Sequence, residues 1–181
     1  MTRSDALRNR QRVLDAAAEL FAEEGLDATI EDIAHRAGVG KATVYRSFPT
    51  KEHLVAAIVI QRVRWFQERA EAAAERQDGF AAFEDLLVAA AEVQAGDRVL
   101  AGALAAAPEV PELAEARAAM RAALERVLDH ARESGELRAD TSVADVHTLF
   151  GGVARTLHEA AEHDVEVWRR YARLVARALR A

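Results

Sequence analysis

The sequence predicts an all-α protein of about nine helices in two domains. Alanine is abundant and only three of the 181 residues are proline, a composition that favours helices throughout the chain. No segment alternates apolar and polar residues as a half-buried strand would, and no internal repeat occurs. Glycine and proline divide the chain into segments of helical length. The 51% hydrophobic fraction is typical of a packed globular protein.

The first three predicted helices are short or strongly patterned. The first covers residues 4–24 and places five apolar residues on one face: Val13, Leu14, Ala17, Leu20 and Phe21. Thr29 can cap the second helix, with Asp32 at the third helical position as a short-armed capping box. Apolar residues then recur at helical spacing at Ile30, Ile33, Ala34 and Ala37. Gly38 and Gly40 supply a turn, and the third helix runs from Lys41 to Phe48, before Pro49.

The rest of the chain contains longer helical segments. They are predicted at residues 50–77, 80–94, between Gly96 and Pro108, and at residues 111–134, 142–162 and 164–180. No linker rich in glycine and serine separates the first three helices from the others. The fourth helix is therefore expected to join an N-terminal domain, residues 1–49, rigidly to a second domain, residues 50–181.

Two short helices joined through glycine follow the helix-turn-helix plan, which places its second helix in the DNA major groove. Val44 and Phe48 lie four residues apart and share the inward face of that helix. The outward face presents Ala42, Thr43 and Arg46, with Lys41 at the helix start and Tyr45 on the flank. Small, hydrogen-bonding and cationic groups suit base edges and phosphates. The alternative is an ordinary solvated helix corner in an all-α protein.

Charge supports DNA binding only locally. The net charge is −6, and residues 1–50 hold seven basic and eight acidic residues. Four arginines lie near the N-terminus, where either phosphate contact or a solvated tail would explain them: Arg3, Arg8, Arg10 and Arg12. The only two lysines of the chain, Lys41 and Lys51, start the third and fourth predicted helices. Both positions would place a cation beside phosphates.

Residues 13–54 resemble the DNA-binding domain of the tetracycline-repressor (TetR) family of bacterial regulators. The segments that carry the resemblance are Val13-Leu14-Asp15-Ala16-Ala17, Thr29-Ile30-Glu31-Asp32-Ile33-Ala34, Ala37-Gly38-Val39 and Thr43-Val44-Tyr45-Arg46-Ser47-Phe48-Pro49-Thr50-Lys51-Glu52. Two positions depart from the family pattern. Gly40 stands where a serine or threonine is more usual, so a capping hydroxyl is missing, and His53 stands where a glutamate often completes a capping box after Thr50.

The resemblance implies a ligand-responsive transcriptional regulator, most often a repressor, with a double-stranded DNA operator and a small-molecule effector as partners. The residues expected at the DNA are Thr29, Gly40, Lys41, Ala42, Thr43, Tyr45, Arg46 and Lys51. Two other functions stay open. One is a helical ligand-binding or adaptor protein without DNA function, and the other is a DNA-binding activator or architectural protein without an effector.

The resemblance also implies an effector cavity within the second domain. We expect an apolar lining drawn from Trp65, Phe83, Leu87, Leu104, Met120 and Leu124. Aromatic residues at such positions are more often plain core. The alanine-rich predicted sixth helix leaves space for a ligand or, as the alternative, packs closely against its neighbours.

The last two predicted helices carry apolar seams of heptad type, which predict a homodimer through a four-helix bundle. The residues expected at its interface are Val146, Phe150, Val153, Leu157, Trp168, Tyr171 and Val175. Gly151 and Gly152 lie inside the eighth predicted helix, where each costs roughly 1 kcal/mol relative to alanine, so a neighbouring helix is expected to approach them closely. The alternative is that these seams pack only within the subunit.

Several other functions are disfavoured. The chain has no cysteine, which excludes a disulfide framework and a zinc-thiolate site. His158 and His163 lie five residues apart, whereas a helical metal-binding pair needs four, so neither a metal nor a cofactor is expected. No nucleophile elbow or phosphate-binding glycine loop suggests an enzyme. The longest apolar stretch is too short to span a bilayer, and without a signal segment the protein is expected to be cytoplasmic.

Overall fold

The structure is a computed structural model that describes residues 3–96, 107–108 and 110–181. These residues form helices α1 (Arg3–Glu24), α2 (Ile30–Ala37), α3 (Lys41–Ser47), α4 (Lys51–Ala74), α5 (Gly79–Gly96), α6 (Pro111–Glu133), α7 (Val143–Glu159) and α8 (Val165–Ala178). A single 3₁₀ turn, Gly25–Asp27, follows α1. Within the described ranges no strand forms, and the predicted all-α class is confirmed. The predicted helix between Gly96 and Pro108 falls mainly on residues 97–106, which lie outside the described residues.

The described chain divides into two compact units. The first holds α1, α2, α3 and the part of α4 up to Gln61, and the second holds the rest of α4 together with α5, α7, α8 and α6 from Ala114 onward. The division falls inside α4, which is one continuous helix. The predicted boundary between residues 49 and 50 divides the chain by function, into a DNA-binding part and a part for ligand binding and dimerisation. That boundary stays a prediction.

The first unit is built on the apolar face of α1. The five residues predicted for that face are all buried: Val13, Leu14, Ala17, Leu20 and Phe21. Both α2 and α3 pack against α1. The predicted apolar face of α2 is buried as well, so the spacing of apolar residues correctly identified the inward sides of both helices.

The second unit is centred on the packing of α5 against α8. Phe83 and Leu87 of α5, Leu128 of α6 and Trp168 of α8 are almost completely buried in one apolar cluster. Arg169 and Glu92 join α8 to α5 by an ion pair with 2.6 Å between Nε and Oε1. The Trp168 indole N–H donates to the Glu162 carbonyl at 3.0 Å, so this large buried side chain keeps its hydrogen bond.

The helix α7 begins as predicted and ends early. Ser142 caps it in a capping box with Asp145, whose carboxylate accepts from the Ser142 N–H at 2.8 Å. The predicted end at residue 162 is wrong, because the helix stops at Glu159. Ala161 adopts a left-handed conformation with φ 51°, and the Glu162 N–H then donates to the Leu157 carbonyl at 2.9 Å. These bonds satisfy the last carbonyls of the helix and turn the chain toward α8.

None of the helices in the described ranges is both long enough and apolar enough to cross a lipid bilayer.

Candidate DNA-binding surface

The start of α2 is fixed by a complete capping box. The Thr29 hydroxyl accepts from the Asp32 N–H at 3.2 Å, and the Asp32 carboxylate accepts from the Thr29 N–H at 3.3 Å. The Thr29 hydroxyl also donates to the Asp32 carboxylate, and this bond together with the one from the Thr29 N–H lowers the pKa of Asp32. The predicted cap is therefore confirmed. It holds Thr29, an exposed residue, at the N-terminus of the first helix of the motif.

The turn between α2 and α3 depends on one glycine more than on the other. Gly38 ends α2 in the left-handed conformation, with φ 64° and ψ 38°, which other residues adopt at a cost. Gly40 has an extended backbone, and a Cβ built on it meets no described atom within 4 Å. No side chain caps α3, as expected from glycine at this position. The Gly38 turn therefore sets the direction in which α3 leaves α2.

The two faces of α3 are divided as predicted. Val44 and Phe48 are buried at 0% and 2% exposure, and they anchor α3 on the first unit. Lys41, Ala42, Tyr45 and Arg46 are exposed, and Thr43 is half-buried. The Arg46 guanidinium donates to the Thr43 hydroxyl at 3.2 Å, so these two polar side chains lie together on the outward face. A seven-residue helix anchored by two apolar side chains thus presents a continuous polar face to solvent.

The two lysines of the chain are engaged within the first unit. Lys41 forms an ion pair with Glu31 of α2, and its ammonium lies 5.8 Å from the centre of the Tyr45 ring. The hydrogen bond between the two charged groups lowers the pKa of Glu31 and raises the pKa of Lys41. Lys51 donates to the Leu26 carbonyl. An ammonium has three donors, so each lysine keeps donors for a further acceptor.

Two contacts were missed from the sequence. In the sequence Glu31 stands only as part of the family pattern, although an acidic residue ten positions before Lys41 is a signal for pairing across the turn. Arg12 looks like the other N-terminal arginines in the sequence, yet its guanidinium lies against Gly38 at the turn. A packing contact between α1 and the turn has no signature in sequence spacing, because it depends on how α1 crosses α2.

The residues expected to line an effector cavity do not all lie together. Phe83, Leu87 and Leu124 belong to the apolar core cluster of the second unit. Trp65 and Met120 are half-buried, and the Arg69 guanidinium lies 4.2 Å from the centre of the Trp65 ring. Leu104 lies outside the described residues. The effector role of this set stays a prediction.

The predicted dimer seam needs a correction. Four of its residues are buried within the subunit: Val146, Leu157, Trp168 and Val175. Their side chains pack in the core of the second unit and leave almost no surface for a partner. An apolar stripe does not tell a core face from an interface face, so the spacing of apolar residues predicts an interface at four positions that belong to the core of the subunit. Phe150 and Val153 are half-buried, and Tyr171 is exposed.

The helices α7 and α8 expose three large apolar side chains to solvent. Leu149, Tyr171 and Leu174 are 42%, 36% and 44% exposed. Gly151 and Gly152 face open space, since a Cβ built on either meets no atom of the described chain within 4 Å. Packing within the described subunit therefore gives no reason for glycine at these two helical positions.

The fold and the exposed face of α3 define the class of the protein: a helix-turn-helix transcriptional regulator. Residues 13–58 match the family described as "Bacterial regulatory proteins, tetR family", and residues 78–181 match the one described as "Transcriptional regulator SbtR-like, C-terminal domain". The chain belongs to the TetR family, whose members are transcriptional regulators and not enzymes.

Similar proteins agree with this assignment. TtgW of Pseudomonas putida, an uncharacterized helix-turn-helix regulator, is 40% identical over 62 residues, which cover 34% of this chain and 46% of TtgW. A TetR regulatory protein from Mycobacterium vanbaalenii is 37% identical over 87% of this chain and 97% of its own, with a TM-score of 0.62. SmeT, repressor of a Stenotrophomonas maltophilia multidrug efflux pump, shares the fold at 24% identity over 96% of this chain and 91% of its own; its complex with triclosan gives a TM-score of 0.69.

Proposed function

We propose that this protein is a ligand-responsive repressor that binds a palindromic operator as a homodimer and leaves it when a small molecule binds. The outward polar face of α3 supports this function most strongly. Val44 and Phe48 fix the helix from behind, so Thr43 and Arg46 meet solvent in a defined orientation. A preorganised polar helix face suits base readout in the major groove.

The proposed DNA contacts divide into two kinds. Ala42, Thr43 and Arg46 lie near base edges, and Arg46 is the residue able to read a guanine by a bidentate hydrogen bond. The phosphate contacts come from Thr29, Lys41, Tyr45 and Lys51, with the Gly40 backbone close to the DNA. The exposure of Thr29, Lys41 and Tyr45 leaves these side chains accessible to phosphates.

The homodimer is proposed to form through the outward side of α7 and α8. This side carries the exposed residues Leu149, Tyr171 and Leu174, and Gly151 and Gly152 of α7 face open space. Another helix could approach such a surface closely. Each helical glycine costs roughly 1 kcal/mol relative to alanine, and close helix contact would offset this cost. A two-fold dimer would present two recognition helices to the two halves of a palindrome.

The effector is proposed to bind in the second unit, near Trp65, Met120 and the apolar cluster. SmeT, a repressor of the same fold, has been solved with triclosan, which supports a small-molecule effector for this chain as well. The effector can release DNA only if it binds the DNA-incompetent state more tightly than the DNA-bound state.

Selection of duplexes from a randomised pool by the full-length protein tests the proposal. We expect a palindromic site, bound with a steep dependence on salt concentration. Apolar compounds are then screened for release of the selected duplex. Failure to enrich any duplex would favour a helical ligand-binding or adaptor protein. Enrichment without release by any compound would favour an activator or architectural protein that lacks an effector.

A further inference from the structure

Three arginines of α1 have different surroundings. Arg8 forms an ion pair with Asp5 and donates to the Ser4 hydroxyl at 2.9 Å. The Arg10 guanidinium lies 4.5 Å from the centre of the Phe48 ring. Arg12 instead reaches the turn between α2 and α3. These arginines look equivalent in the sequence, but their guanidinium groups have different contacts.

The position of Arg12 follows from its contact with Gly38. A Cβ built on Gly38 would lie 2.6 Å from Nη2 of Arg12, so the guanidinium covers that side of the turn. The Arg12 side chain is exposed, and it makes no hydrogen bond or ion pair with any described residue. By contrast, Arg36 of α2 pairs with Glu23 at 2.8 Å, and Arg46 donates to Thr43.

A cation at this turn, with no ion pair to a described residue, is placed to bind a DNA phosphate. In a docked helix-turn-helix, the N-terminal residues of the second helix reach base edges while the first helix crosses the sugar-phosphate backbone. The turn that joins the two helices therefore passes close to phosphates. A guanidinium is planar and always charged, and its fork of N–H donors matches the oxygens of a phosphate.

We propose that Arg12 is a phosphate-binding residue that fixes the position of the helix-turn-helix on duplex DNA from outside the motif itself. This inference rests on the proposed DNA-binding function and adds a contact from α1 to it. Arg12 contributes affinity for every duplex and does not read sequence.

The test compares four variants of the full-length protein: Arg12→Gln, Arg12→Lys, Arg8→Gln and Arg121→Gln. Arg8 controls for charge on the same helix, and Arg121 is an exposed arginine of α6 in the second unit. The probes are a duplex that the wild-type protein selects from a randomised pool and a mixed-sequence duplex. Fluorescence anisotropy gives Kd for both between 50 and 200 mM KCl, and circular dichroism gives the melting temperature of each variant.

We expect Arg12→Gln to weaken binding to both duplexes and to reduce the slope of log K against log salt by about 0.9 per bound subunit. Arg12→Lys should keep the slope, because it keeps the charge, and both control variants should match the wild type. An unchanged slope for Arg12→Gln would overturn the proposal, and a lower melting temperature with that result would assign Arg12 to holding the turn. An equal loss of slope in either control would overturn it as well. If the wild-type protein bound no duplex, the proposed function would fail together with this inference.

Discussion

The outward face of α3 and the outward side of α7 and α8 both expose large side chains to solvent, and their chemistry is opposite. The outward face of α3 presents Tyr45 and Arg46 beside Thr43. The outward side of α7 and α8 presents Leu149, Tyr171 and Leu174 next to two glycines. A polar, cationic face suits a charged and hydrated partner such as DNA, whereas an apolar face with small residues suits another helix. The kind of exposed group, and not exposure alone, therefore indicates the partner.

A charge placed on the apolar surface of α7 and α8 should change the protein most. Leu174→Glu should convert the dimer into a monomer, because a carboxylate at the centre of an interface would have to be buried without a partner. Loss of the second recognition helix should lower operator affinity about 10²–10⁴-fold. Analytical ultracentrifugation at micromolar concentration and a DNA titration measure the two effects.

Leu7→Glu is the matched control for that variant. Leu7 of α1 is 63% exposed and lies in the first unit, away from α7 and α8 in the chain. The same chemical change there should leave the dimer intact. If Leu174→Glu stays dimeric, or if the wild type sediments as a monomer and still binds its operator tightly, the apolar surface does not form the dimer.

The second effect tests the polar face. Arg46→Ala should cost about 1–3 kcal/mol at the selected operator and should relax the preference at one base pair, if Arg46 reads a base edge. Tyr45→Ala should instead weaken all duplexes alike, because Tyr45 lies on the flank where phosphates are expected. A second selection from a randomised pool with each variant reports both outcomes. Identical selected sites for Arg46→Ala and the wild type would exclude base reading by Arg46.

The two surfaces were not equally predictable from the sequence. The period of 3.6 residues identified the buried sides of α1 and α2 and the anchoring pair of α3, because one side of each helix is apolar and the other is not. The capping box of Thr29 and Asp32 was predictable because it depends on residues three positions apart.

The apolar seam of α7 and α8 could not be assigned in the same way. These helices have apolar residues on two sides, one for the core and one for solvent, so spacing alone did not tell Trp168 and Val175 from Leu174. The end of α7 at Glu159 was missed because Ala161 takes the left-handed conformation that glycine usually provides. Contacts between distant segments, such as Arg12 at Gly38, depend on helix crossing and leave no local pattern.

A smaller effect tests whether a partner helix approaches the glycines of α7 or whether they face only solvent. Within an isolated subunit, Gly152→Ala should stabilise the helix by about 0.5–1 kcal/mol, because no described atom obstructs the added methyl group. In a dimer with close helix contact the same methyl group should weaken association severalfold. Thermal unfolding of Leu174→Glu with and without Gly152→Ala measures the stability of the isolated subunit. The dimer dissociation constant of Gly152→Ala alone measures association. If the single variant also dimerises more tightly, no partner helix approaches Gly152.

The smallest effect concerns the ion pair between Glu31 and Lys41. A DNA phosphate would compete with the Glu31 carboxylate for the Lys41 ammonium, so Glu31→Gln should strengthen binding to every duplex. Exposed pairs of this kind contribute little because water and salt screen them, so the increase should be severalfold at most. Glu24→Gln removes a negative charge from an exposed residue at the end of α1 and serves as the control.

The affinity gained by Glu31→Gln should depend on pH. Pairing with Lys41 lowers the pKa of Glu31, so the pair is present at neutral pH and is lost only as the pH falls through that lowered value. The advantage of Glu31→Gln over the wild type should therefore be constant near neutral pH and should shrink in acid, where Glu31 itself becomes neutral. An equal gain from Glu24→Gln would mean that overall charge is responsible. A loss of affinity in Glu31→Gln would mean that Glu31 holds Lys41 in its DNA-binding position and does not compete with the phosphate.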